Sequence, residues 1–200
     1  AGTTSGGGAS TTAGTTTTGT TTAGKFNNTG VVEVDSGTLV LANGGTSTGT
    51  WDAAAGTVLQ FSDGAHTLSG AVTVAGILRK SSSYTTDING PCTVTGTTQI
   101  TGGTLNFNAG THTSQLVTHT GGTLGGSGTL TVDGLYTWTG GSMVGSGVTT
   151  LNGGMALSGS SDRLVHTRTL NNANNGTITW TGTGNLQVED GQLNNQSGGL

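Results

Sequence analysis

The chain has 200 residues, 40 of them glycine and one proline, and only 7% are charged. Ordinary domains hold roughly 7% glycine and about 25% charge, so this composition excludes collagen, which pairs its glycine with proline-rich triplets, and an expanded chain held open by charge. The net charge is −4, and the five cations Lys25, Arg79, Lys80, Arg163 and Arg168 are scattered, which excludes nucleic-acid binding through clustered phosphate contacts.

Residues 1–24 contain only Ala, Gly, Ser and Thr. Such a tract has nothing to fill a core and reads as a low-complexity segment. It begins at Ala1 without a charged, apolar leader, so either a leader was removed or the chain is a section of something longer. No apolar run approaches the ~18–20 residues of a membrane-spanning helix. Cys92 is the single cysteine, so no internal disulfide forms.

From Lys25 onward the pattern changes, and residues 25–200 read as one repeat domain. Short apolar alternations recur at Val32–Val34, Leu39–Leu41, Val72–Val74, Leu105–Phe107, Leu130–Val132, Tyr136–Trp138 and Ile178–Trp180. A period of two marks a strand, and Thr and Val suit it. No segment keeps helical spacing over three turns, and glycine interrupts nearly every window, so no helix is predicted. Asp-Gly pairs at Asp63, Asp133 and Asp190 read as turns.

Repeats carry the fold. A G-T-apolar-x-apolar unit opens at Gly37, Gly103, Gly128 and Gly176, with a variant at Gly56; an Asn-Asn unit follows Phe26, Leu170 and Leu193. The spacings are 25 from Gly103 to Gly128, 23 from Leu170 to Leu193, and 42 from Trp138 to Trp180, about twice 21. A period of 19–25 is too short for a four-stranded propeller blade of ~40–45 residues and fits one coil of a parallel β-solenoid with three short strands. About eight coils are expected, right-handed by the rule for parallel crossovers. Leu105, Leu130, Val132 and Ile178 are predicted to be buried and stacked on like residues. Tyr136, Trp138 and Trp180 take core phase, and Trp51 an outer position.

The segments GTLTVDGLYTWTGGSMVGSGVTTLNG and RTLNNANNGTITWTGTGNLQVEDGQLNNQSGG resemble the repeats of large bacterial surface proteins of the autotransporter and filamentous-haemagglutinin adhesin type. That resemblance implies a right-handed parallel β-helix that is exported, elongated and scaffold-like or adhesive, with a surface glycan or host surface as the partner class.

Residues with chemistry are sparse. Glu33 and Asp35, two apart, have the spacing of one strand face, and Asp162 has Arg163 and His166 nearby, whereas Glu189 and Asp190 point to opposite faces. Glycoside hydrolysis needs two facing carboxylates, and a lyase needs clustered acids with a base; these residues read instead as a solvated surface. GGSGTL at Gly125 places Leu130 where a calcium-binding repeat needs Asp. His66, His112, His119 and His166 lack zinc spacing. Cys92 reads as a small buried thiol. The triplets Thr111–Thr113, Thr137–Thr139 and Thr179–Thr181 have the form of an ice-binding face, but spacings of 26 and 42 put them on one side in only part of the chain. No cofactor or metal is expected, and no enzyme activity. The expected function is an extracellular, cell-surface structural or adhesive module that associates with its own copies or continues into further coils. The residues assigned to assembly are Ala1, Thr15, Thr22, Gly198 and Leu200. The alternative is a carbohydrate-binding or polysaccharide-degrading β-helix, which needs exposed aromatic side chains.

Overall fold

The computed structural model describes the backbone of residues 13–14 and 17–21, and residues 24–173 and 176–196 in full. It is an all-β solenoid of parallel strands, and no helix occurs among the described residues. Every strand pairing is parallel, one coil to the next, with about 20 residues per coil over about eight turns.

Each coil lays one short strand on each of three faces. The first face runs through Val31–Val34, Thr50–Ala53, Val72–Val74, Thr129–Val132, Val148–Leu151, Thr169–Asn172 and Gln192–Asn195. On the second face are Gly37–Leu41, Val58–Phe61, Ile77–Lys80, Tyr136–Trp138, Met155–Leu157 and Ile178–Trp180. The nine-residue strands Cys92–Ile100 and Thr111–His119 turn the corner and serve both faces. A separate sheet of eight strands, Gly45–Ser47 through Leu186–Glu189, forms the third. Pairing also reaches into the Ala/Gly/Ser/Thr tract, where Ala13–Gly14 pairs with Val31–Val34 and Thr17–Thr21 with Gly37–Leu41.

Alternation decides which residues face in. Leu39, Leu59 and Leu78 stack in one inward column of the second face, and Leu41, Phe61, Lys80, Ile100, His119, Trp138 and Leu157 in the next. Burying each large apolar side chain contributes about 1.5–3 kcal/mol, but only because the coils above and below supply the contacts. Glycine closes the corners. At Gly49, Gly70 and Gly90 an added Cβ would strike the carbonyl of the glycine one coil back, at 2.0, 2.1 and 2.3 Å. At Gly64, φ of +72° adds the left-handed requirement of an Asp-Gly turn.

Leu105, Leu130 and Val132 are fully buried as expected; Leu105 stacks on the like residue Leu124 on one side and on Thr86 on the other. Leu130 lies between His112 and Thr149, and Val132 between Ser114 and Leu151. Ile178 is only half-buried, because it stacks on Met155 on one side alone. Trp51 reverses its expected position: it is 3% exposed, with Nε1–H donating to Ser47 Oγ at 2.8 Å and its ring beside Phe61 at 5.9 Å. The Trp51-x-Ala53 alternation sets its phase inward, and the adjacent Asp52 takes the outer position.

Candidate functional site

The interior is more polar than its apolar alternation suggests. Three of the five cations, Lys80, Arg163 and Arg168, are buried, and none has a carboxylate in ion-pair contact. Backbone carbonyls at the corners take that role. Lys80 Nζ donates to the carbonyls of Ser81, Ser62 and Phe61 at 2.6, 3.2 and 3.4 Å, which uses all three ammonium protons. Burial lowers its pKa to about 8, opposed in part by the nearby Asp63 carboxylate. Arg163 donates to the carbonyls of Trp138, Ser158 and Gly184. Arg168 donates to Thr149 Oγ1 at 2.8 Å and to the carbonyls of Gly126 and Val144 at 3.1 and 3.3 Å; burial brings its pKa down to about 10. With these charges inside, Lys25 and Arg79 are the cations left to face nine carboxylates, so the outside is more acidic than the net charge of −4 suggests.

Three histidines also face in. His119 stacks on Trp138 at 5.6 Å and its Nδ1 meets the Tyr136 hydroxyl at 2.9 Å; burial drops its pKa to about 4. His66 contacts the Asp63 carbonyl at 3.0 Å, and burial again lowers its pKa. Neither ring nitrogen of buried His112 has a hydrogen-bond partner. Its register neighbour in the inward column is Cys92. Burial moves the two in opposite directions, pushing the thiol up to about 12 and the imidazole down, so both stay neutral and the thiolate–imidazolium pair of a nucleophile does not form.

The acids predicted to share faces are dispersed. Glu33 faces Asp52 across the strand pair, and Asp35 follows the end of its strand. Asp162 is exposed and accepts from the Asn185 N–H at 2.8 Å, while Arg163 beside it turns into the core. His166 is outward, 3.7 Å from the Asp190 carboxylate. Among the described residues, no three His, Cys, Asp or Glu side chains converge as metal ligands. Exposed aromatics are Tyr84 at a corner and Trp180 at the C-terminal end, which share no face.

Two surfaces are distinctive. One is the end formed by Ile178–Trp180, Leu186–Glu189 and Gln192–Asn195, where Trp180, Val188 and Leu193, in inward phase, are 49%, 42% and 37% exposed. The other is the outside of the first face, where Thr73, Thr93, Thr113, Thr131 and Thr150 form one registered column. Sequence spacing hid this column because its steps are 20, 20, 18 and 19 residues. The triplets at Thr137 and Thr179 lie on the second face, two coils apart, and only the one at Thr111 belongs here. Ala1, Thr15, Thr22, Gly198 and Leu200, the residues assigned to assembly, lie outside the described residues. No family model matches the chain, and neither a curated protein nor a solved structure does.

Proposed function

We propose that the chain is a structural module of an extracellular, cell-surface fibre or adhesin, and that its last described coil takes a further parallel coil, supplied by a second copy or by continuation of the same chain. The observation that carries this reading is the exposure of Trp180, Val188 and Leu193. In the preceding coil, Leu157, Val165 and Leu170 hold the same three columns and are fully buried. The end coil therefore presents an apolar template already in register with a further parallel coil. Its strands also carry backbone donors and acceptors paired on one side alone, which is the geometry of strand addition.

A second copy fits because all strands share one direction. The last coil of one copy meets the first of the next without reversing polarity, and such head-to-tail contact propagates as a filament. Extracellular placement and adhesive use rest on the likeness of the repeats to bacterial surface proteins. A rod of eight or nine coils is about 40 Å long, the shape of a spacer or fibre element.

Sedimentation velocity over a wide concentration range, with electron microscopy of the particles, tests the reading. The expected result is a ladder of species lengthening along the solenoid axis, abolished in a Trp180→Asp, Leu193→Asp double variant. A wild-type chain that stays a single particle at every concentration would overturn stacking between copies and assign the open coil to continuation of the same chain.

A further inference from the structure

We propose that the outer first face binds ordered water, the surface of ice, through its threonine array. Between the Glu33–Asp52 pair and the Asn171–Asn194 pair, the outward column reads Thr73, Thr93, Thr113, Thr131, Thr150. Two residues away the parallel column holds Thr111, Thr129, Val148 and Thr169 in register. No rung of this stretch carries a charge.

Three features distinguish it from an ordinary solvated strand surface. The first is freedom of the hydroxyls: those of Thr73, Thr93, Thr111, Thr113, Thr129, Thr131 and Thr150 make no hydrogen bond to the protein. Just past the second-face strands, by contrast, Ser62 and Thr101 turn theirs onto the carbonyls of Leu41 and Lys80, and within that face the free run is only Thr118 and Thr137. Arg79 there is tied to Gln60 and Gln99, and Ala156 breaks the threonine run. The second feature is rigidity. Each threonine is β-branched with a restricted χ1 and sits on a backbone paired on both sides. The irregularity in the long strand pair falls between Val94 and Thr97, at the corner and outside the array.

The third feature is metric. Parallel strands lie about 4.8 Å apart, and outward residues two apart along a strand are about 6.6 Å apart. A tetrahedral network of O–H···O bonds of about 2.75 Å places second-neighbour oxygens about 4.5 Å apart and repeats across its layers at about 7.3 Å. Both directions agree within about a tenth. The mismatch of about 0.3 Å per rung grows to about 1.2 Å over the four steps from Thr73 to Thr150, roughly a quarter of one lattice spacing. Methyl and hydroxyl groups repeating on this grid hold a water layer already close to the solid, and a charged side chain would hold a differently oriented shell.

Partition of the purified chain into a slowly grown ice front tests the proposal. The wild type is expected to be enriched in the ice. Thr131→Lys is expected to lower that enrichment about tenfold or more, since one raised side chain lifts the lattice off neighbouring rungs. Thr113→Lys replaces it if the first variant does not refold. Thr67→Lys, on the third face beside Asp87, is expected to leave enrichment unchanged. A wild type excluded from ice, retention by both first-face variants, or equal loss in Thr67→Lys would each overturn the proposal. So would retention on crystalline chitin or cellulose without enrichment in ice, which would assign the face to a polysaccharide. Monomeric and end-stacked forms carry the same array, so this outcome is independent of the sedimentation test.

Discussion

Two coils of the solenoid use nearly the same residues and end in different states. In the upper-middle coil, Trp138, Met143 and Leu151 are sealed; in the last, Trp180, Val188 and Leu193 are between a third and a half exposed. Trp138 and Trp180 stand in one column, two coils apart, and each donates its indole N–H to the carbonyl two residues on, at 3.0 and 3.2 Å. The local structure is the same, and what differs is the presence of a coil on the far side. In a solenoid, burial is a property of the neighbour, so stability sums over interfaces between coils.

The sharpest way to break that comparison is to put one charge in each place. Leu130→Asp sets a carboxylate between His112 and Thr149, in a fully buried column, with the Arg168 guanidinium on Thr149 Oγ1 as the cation nearest to it. Lost packing and a desolvated carboxylate, offset only in part by that guanidinium, cost about 3 kcal/mol. Leu193→Asp, at the open end, is expected to cost under about 1 kcal/mol, because the carboxylate keeps water on one side. Urea unfolding of the two variants gives the ratio. Equal losses would mean that the end coil is covered in solution, and would itself report on stacking.

The sequence made the architecture readable and the interior contents much less so. Period-two alternation and the G-T-apolar unit gave parallel strands, coil length and the absence of helix. Trp138 and Trp180 did prove to be two coils apart. The unit at Gly103 and at Gly128, however, lies on the third face and the first respectively, so their spacing of 25 is not a coil. All three faces ask for the same strand, and the motif cannot say which face it occupies. Lys80, His119 and Arg163 were legible in phase, since Leu78-x-Lys80, Val117-x-His119 and Arg163-x-Val165 alternate like any core pair. Charge argued against burial, and acceptors from other coils decided for it: Arg163 meets carbonyls of three successive coils, Lys80 those of its own coil and the one before, and His119 the Tyr136 hydroxyl of the next. The threonine column escaped for a related reason: corner lengths vary, so residues in register are not evenly spaced in sequence.

Acid sharpens the contrast between inside and outside by a smaller amount. His119 stacks on Trp138 and, by burial, has its folded pKa lowered to about 4 from 6.5. Between those values the unfolded chain binds a proton that the folded one refuses, so stability falls as pH drops through 6.5 and levels off near 4. The full loss is about 3 kcal/mol, from 1.36 kcal/mol per unit. His66 and His112, also lowered by burial, add in the same direction. Thermal melts between pH 7 and pH 4 should show a declining midpoint that is flatter in His119→Phe. An unchanged slope in that variant would place the acid sensitivity elsewhere.

The smallest effect expected is at the alkaline side, at Lys80. Its pKa is lowered to about 8 from 10.5, by burial first and despite the Asp63 carboxylate. Below pH 8 both states are protonated, and the folded state bears the cost of a desolvated ammonium, softened by its three carbonyl acceptors. As pH rises from 8 toward 10.5 the folded protein gives up the proton while the unfolded chain keeps it. Stability therefore rises over that window, by at most about 3 kcal/mol and by less where the carbonyl cage holds the charged form. Lys80→Met keeps the length of the side chain and removes the titration. It leaves three carbonyls without their donor, a cost that does not change with pH. The difference in urea midpoint between wild type and Lys80→Met should thus shift toward the wild type between pH 8 and pH 10. A constant difference would show that Lys80 stays charged inside the solenoid throughout, with the carbonyls of Phe61, Ser62 and Ser81 acting as a full substitute for water.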